Sequence, residues 1–203
     1  MPKILLIDNY DSFTYNLVHY LEAILNQNID VIRNDAIDLD KLDKYDAFVI
    51  SPGPGLPKDA GKLMAFLDRF ATTKKILGIC LGQQAIAEHF GMTLKNLGEV
   101  VHGQARGIKV LNDNSLFKGL PQNIKVGRYH SWVIEPESIK ADFEITSTDE
   151  QGNIMSIKHN KLPIEAVQFH PESILTEYGK EMLRNWLKIQ NSNNDLTSKF
   201  KKI

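Results

Sequence analysis

The chain has a single cysteine, and it stands where an apolar run turns into a helical pattern: "KKILGICLGQQAIAEHFG", Lys74 to Gly91. Gly78-Ile79-Cys80-Leu81-Gly82 has the form G-x-nucleophile-x-G. Such an elbow holds its nucleophile on a tight strand-to-helix turn, and small flanking residues permit the strained backbone and close packing. The turn projects the sulfur at the carboxyl edge of a sheet, where α/β folds place their ligands. It also sets Cys80 near the next helix's N-terminus, whose partial positive charge favours the reactive thiolate. The alternative is a structural cysteine, since free Cys is among the most buried residue types.

A thiol nucleophile needs a base, and the sequence offers six histidines. His19 and His89 fall in helical patterns and read as surface or packing residues. His102 and His159 sit at expected turns with no acidic partner close in sequence, and His130, between Tyr129 and Ser131, is placed to line a pocket. His170 differs: "EAVQFHPES" puts it after an apolar strand, with Pro171 fixing the turn and Glu172 two residues on. A carboxylate that close holds the imidazole tautomer and stabilises the imidazolium formed when the thiol loses its proton. A Cys–His pair distant in sequence is normal for this chemistry. The alternative for "HPES" is a plain structural turn.

A third piece is "SPGPGLP", Ser51 to Pro57. Its prolines and glycines make a rigid loop whose backbone N–H groups are free to face a ligand. Such donors hold the oxyanion of a tetrahedral intermediate, often worth about 2.7–4 kcal/mol each. The alternative is a tight strand-to-helix connection without chemistry.

These residues must be positioned by the elements around them. "KILLID", "IDVIRND", "YDAFVISPG" and "KKILGIC" read as strands. "DSFTYNLVHYLEAIL", "AGKLMAFLDRFA" and "GQQAIAEHF" have helical spacing, and Asp11 or Ser12 is the expected cap of the first. The alternation over the first 90 residues or so argues for βαβ units and a parallel sheet. After Gly91, "QARGIKVLN", "NIKVGRYHSWVIEP", "DFEITSTDE", "NIMSIKHN" and "PIEAVQF" read as an antiparallel extension of that sheet. "SILTEYGKEMLRNWLKIQ" then predicts a closing amphipathic helix with Leu175, Tyr178, Met182 and Trp186 on its apolar stripe.

Length and composition bound the function. With 203 residues, 42% of them hydrophobic and 24% charged, the chain is a globular α/β domain with its own core. Residues 1–192 are assigned to that domain, and the polar tail 193–203 is expected to fray. A net charge of -1 gives no electrostatic reason to expect nucleic acid or anionic membrane as partner. One cysteine cannot form an internal disulfide, so a reducing, cytoplasmic setting is expected. The apolar run before Asp8 is too short for a signal segment, and no stretch approaches the roughly 20 apolar residues of a membrane span.

Taken together, "LLIDNYDSFTYNL", "NDA", "ISPGPGLPKDAG", "ILGICLGQQAIA", "RYHS" and "VQFHPESILT" resemble the class I, triad-type glutamine amidotransferases. They are most similar to the small glutaminase subunits (component II) of anthranilate synthase and aminodeoxychorismate synthase. The resemblance covers roughly residues 3 to 190 and implies a single-domain, flavodoxin-like α/β fold. It implies that Cys80 attacks the side-chain amide of L-glutamine, His170 moves the proton and Glu172 orients His170. Gly55 and Leu81 would supply the oxyanion hole. Gly53, Pro54, Gly55, Gln84, Ser131 and Trp132 would hold the glutamine. It further implies that ammonia passes to a chorismate-binding partner in a hetero-oligomer. No metal or cofactor is expected in this chain, and magnesium only in the partner. Anthranilate is the leading product and aminodeoxychorismate the alternative. Relatives are usually weak glutaminases until the partner docks, and the same gating is expected here.

Three departures bear on this reading. Gln83 stands where relatives commonly have His, Trp132 where they have Leu, and "HGQARGI" (His102 to Ile108) replaces a more usual "HGKTSPI". Two rival classes are another cysteine hydrolase of the same superfamily and a non-catalytic, partner-binding relative. The intact Cys80, His170 and Glu172 argue against the second.

Overall fold

The computed structural model describes residues 2–112 and 115–192; the tail 193–203 lies outside the described residues. The chain runs β1 (Ile4–Asp8), α1 (Thr14–Leu25), β2 (Asp30–Arg33), β3 (Ala47–Ile50), α2 (Leu63–Phe70), β4 (Lys75–Ile79) and α3 (Leu81–His89). It continues through β5 (Leu94–Val110), β6 (Asn123–Ile134), β7 (Phe143–Asp149), β8 (Ile154–His159), β9 (Ile164–Val167) and α4 (Gly179–Ser192). All nine strands form one sheet in the order β2-β1-β3-β4-β9-β8-β7-β5-β6. The first five in that order are parallel neighbours; β8, β7, β5 and β6 add the antiparallel extension. The α/β class and the mixed sheet expected from the sequence are both present.

β1, β3 and β9 are buried at every position, and β4 at all but Lys75, because both faces of the sheet are covered. Alternate side chains feed two cores. Leu6, Val49 and Leu77 pack with Leu17 and Leu21 of α1 and Leu183 and Trp186 of α4. Leu5, Ile7, Phe48, Ile50 and Ile76 pack with Phe66 and Phe70 of α2 and Ile86 of α3. Burying each such side chain contributes about 1.5–3 kcal/mol. β2 lies at one edge of the sheet and has mostly exposed side chains.

Three expectations need correction. The sequence predicts a strand only from Gln104, yet β5 begins at Leu94 and runs 17 residues along β6. Register shifts between Asn96 and Val101 and between His102 and Gln104, near Gly98 and Gly103, break the period-2 pattern that would have revealed it. The closing helix starts at Gly179, not near Ser173. Tyr178 has φ 59°, the left-handed conformation that helix cannot propagate through. Residues 173–178 instead lie along β6: Glu177 N–H donates to the Lys125 carbonyl, and Gly127 N–H to Thr176 Oγ1. Leu175 is therefore only half-buried and Tyr178 exposed, whereas Met182 and Trp186 are buried as expected. At α1, Asp11 accepts the Phe13 N–H at 2.8 Å, an Asx turn just ahead of the helix, and neither Asp11 nor Ser12 occupies the cap position.

Candidate active site

The elbow is built from β4 and α3. Cys80 has φ 53° and ψ -102°, so the strain falls on the cysteine itself rather than on its glycine neighbours. The glycines serve close approach. A β-carbon on Gly78 would sit 2.6 Å from Ile86 Cδ1, and one on Gly82 would sit 2.8 Å from the Ile50 carbonyl oxygen. Cys80 N–H donates to the Val167 carbonyl at 2.8 Å, locking the elbow to the end of β9. The first α3 hydrogen bond runs from Gln84 N–H to the Cys80 carbonyl at 3.1 Å, which leaves the Leu81 N–H outside the helical ladder.

Because β9 lies beside β4, the segment after β9 reaches the same sheet edge. His170 Nδ1 is 2.7 Å from Glu172 Oε1, with both side chains buried. His170 N–H is held by the Gly127 carbonyl at 3.0 Å, and Ser173 N–H and Thr176 Oγ1 both donate to the His170 carbonyl. The imidazole is flanked by Tyr129 at 4.8 Å and Phe13 at 5.6 Å between ring centres. Its Nε2 makes no hydrogen bond elsewhere among the described residues. Burial opposes the charged imidazolium, but the neighbouring Cys80 side chain and the Glu172 carboxylate outweigh it, and His170 is held well above the usual imidazole range. Asp11 is close by: polar atoms of Asp11, His170 and Glu172 all lie within 4.8 Å of one another.

The "SPGPGLP" loop is lashed to the first βα turn. Asn9 N–H donates to Ser51 Oγ and Asn9 Nδ2 to the Ser51 carbonyl, both at 2.8 Å. Asn34 Nδ2 braces Asn9 Oδ1 at 3.0 Å, and Asp8 accepts from Tyr10 N–H and Thr14 Oγ1. Gly53 sits so close to Asn9 and Leu81 that a β-carbon would fall 2.5 Å from one and 2.8 Å from the other. Gly55, with φ +75°, faces open space, and Pro54 beside it is exposed. The loop is thus brought against the elbow with its tip free.

Gln84 connects the elbow to β6, its Nε2 donating to the Trp132 carbonyl at 3.1 Å. Ser131 and Trp132 are half-buried beside it on β6. Gln83 is fully buried in α3, and neither polar atom of its side chain finds a hydrogen-bond partner among the described residues. His130 does not belong with Cys80. It is buried, accepts from Arg128 Nε at 3.0 Å and contacts the Trp132 carbonyl at 3.1 Å. His19 is exposed, His89 meets Asp68, and His159 accepts from the Lys161 and Leu162 N–H groups.

Sequence reasoning passed over four residues that shape the site: Asn9, Phe13, Tyr129 and Gln168. All four lie within the quoted stretches "LLIDNYDSFTYNL", "RYHS" and "VQFHPESILT", so the stretches, not the residues, were the available signal.

A buried cysteine on a positive-φ elbow, at the carboxyl edge of a mixed sheet and beside a His–Glu pair, defines an α/β protein of the nucleophile-elbow type. The chain belongs to the class-I glutamine amidotransferase family, whose model matches residues 5–189. It is 45% identical to aminodeoxychorismate/anthranilate synthase component 2 of Bacillus subtilis, over 91% of this chain and 95% of that one. It is 45% identical to aminodeoxychorismate synthase component 2 of Escherichia coli (91% and 98% covered). To anthranilate synthase component 2 of Lactococcus lactis it is 44% identical (95% and 97% covered). Among solved structures, a Thermoplasma acidophilum protein assigned to GMP synthase superposes with TM-score 0.86 at 30% identity, over 98% of each chain. Among the described residues no helix is long and apolar enough to cross a membrane.

Proposed function

We propose that this chain is the glutaminase component of a two-subunit synthase, hydrolysing L-glutamine and delivering ammonia to a chorismate-binding partner. The observation that carries this is the buried His170–Glu172 pair set against Cys80 at the elbow. Cys80 gives its thiol proton to His170 as its sulfur attacks the side-chain amide carbon of glutamine, and the oxyanion meets the N–H groups of Leu81 and Gly55. As the tetrahedral intermediate collapses, His170 protonates the departing nitrogen, the C–N bond breaks and a glutamyl thioester remains. His170 then takes a proton from water, whose oxygen attacks the thioester, releasing glutamate and the Cys80 sulfur. Glu172 keeps the imidazole in register through both steps. Gly53, Pro54, Gly55, Gln84, Ser131 and Trp132 hold the substrate, with Trp132 acting through its backbone.

The protein works in the cytoplasm, needs no cofactor of its own and leaves magnesium to the partner. Anthranilate is the product of the leading reading. The second reading, aminodeoxychorismate, is favoured by the relatives that carry that name.

The test captures the partner from native lysate with this chain as bait, supplies chorismate, magnesium and glutamine, and identifies the aminated product. Cys80→Ala should abolish glutamine-dependent synthesis while leaving ammonia-dependent synthesis intact. Loss of both activities, or survival of the first, overturns the assignment.

A further inference from the structure

We propose that Gln168 is a positioning residue for the Cys80 sulfur, the last link of an amide row that runs from the Trp132 carbonyl through Gln84 to the nucleophile. This rests on the reading of Cys80 as nucleophile and deepens it.

Gln168 is fully buried, and its Nε2 lies 3.5 Å from Cys80 Sγ, within hydrogen-bonding reach of sulfur. Its Oε1 accepts from Gln84 Nε2 at 3.3 Å, and the same nitrogen of Gln84 donates to the Trp132 carbonyl at 3.1 Å. The polarity of this row is set at one end. A backbone carbonyl only accepts, so Gln84 must turn its NH2 group toward Trp132 and Gln168. The atom of Gln168 facing that NH2 group must then be its oxygen, and the atom facing sulfur must be its nitrogen. The reverse orientation would set two donors against each other and aim a carbonyl dipole at the sulfur.

The backbone supports the same placement. Gln168 N–H is bound to the Met155 carbonyl at 2.8 Å, and the preceding carbonyl, Val167, receives the Cys80 N–H. Gln168 and His170 stand either side of Phe169, whose ring turns into the core toward Phe117. The two polar side chains around the sulfur thus come from alternate positions of one segment. His170 serves the proton, and Gln168 directs an N–H dipole at the sulfur, favouring its anionic form and restricting its rotamer. The row also ties Gln84, which the proposed function assigns to substrate binding, to the reacting atom.

The chain's single cysteine makes the test direct: the rate of iodoacetamide alkylation of the full chain reports Cys80 alone, and its pH profile reports the thiolate. Gln168→Met keeps the length and burial of the side chain and removes the donor; Gln168→Leu is the second variant should the first not fold. The titratable groups around the sulfur, His170 with Glu172 and Asp11 behind it, are unchanged in both. The expected result is an alkylation midpoint raised by about one pH unit, a tenfold smaller thiolate fraction at neutral pH. Gln84→Leu, which unlocks the polarity of the row without touching the sulfur, should move the midpoint the same way by less. An unshifted midpoint in a Gln168 variant, with only its melting temperature lowered, reduces Gln168 to packing and overturns the proposal. Failure of the function itself reads differently: glutamine would not be turned over by the native complex, whatever the alkylation profiles show.

Discussion

A β-carbon on Gly82 would sit 2.8 Å from the Ile50 carbonyl oxygen, so α3 rests directly on the backbone of β3. That approach sets how far the elbow can project Cys80. Gly82→Ala must lift the N-terminus of α3, where overpacking costs about 1–3 kcal/mol. Urea unfolding should show that loss, and glutamine turnover should fall at least tenfold because the Leu81 N–H moves with the helix. Native-like stability and turnover would show that the contact gives way freely. Gly55→Ala is the contrasting case: its site is open, so only the positive φ is penalised, by about 1 kcal/mol.

His170 should titrate differently once its neighbours are altered. The Cys80 side chain and the Glu172 carboxylate raise it against an opposing burial effect, so removing either leaves burial less opposed. Both Cys80→Ala and Glu172→Gln should lower the imidazole midpoint seen by NMR. The raised value also fixes a sign for stability: this contribution is present at low pH and is lost as pH rises through the folded-state midpoint. An unchanged midpoint in both variants would separate His170 electrostatically from its two neighbours.

His130 makes the opposite prediction for acid. Burial, then the Arg128 guanidinium, push it down to about 3, so it stays neutral in the fold while the unfolded chain protonates near pH 6.5. The unfolded state therefore binds the extra proton, and stability falls as pH drops below that range, by about 2 kcal/mol between pH 7 and 5. Asp149, bound to Arg128 at 2.8 Å, adds to the loss in more acid solution. Burial opposes its charge, but the Asn153 and Arg128 contacts outweigh this and hold it below the usual carboxylate range. Urea midpoints taken from pH 7 to 4 should slope downward, and His130→Gln should flatten the part between 7 and 5.

Gln83 is fully buried, and its amide has no hydrogen-bond partner among the described residues. An unsatisfied buried polar group costs about 1–3 kcal/mol, and Met matches the length of Gln without that cost. Gln83→Met is expected to raise the unfolding free energy by about 1 kcal/mol and leave Cys80 alkylation unchanged. A destabilised variant would mean that the amide is satisfied by a bound water.

The sequence carried the local rules. The G-x-C-x-G spacing marked the elbow, and His170 with Glu172 at two residues' distance marked a pair that needs no long-range folding to meet. Short, largely apolar runs alternating with 3.6-residue patterns marked βαβ units and a parallel sheet. Each of these depends on residues within one turn or one strand of each other, so spacing alone expresses it. What lay beyond reach was set by strand order. That β9 lies beside β4 is what brings Gln168 to a cysteine 88 positions earlier, and no periodicity encodes which strands become neighbours. The early half of β5 was hidden because its bulges break the alternation, and α4 starts late because Tyr178 takes a left-handed φ and Thr176 and Glu177 form hydrogen bonds to β6. Sequence by itself thus determined which groups are available for chemistry; the tertiary structure decided which of them touch the sulfur, because those contacts close loops far longer than any local pattern spans.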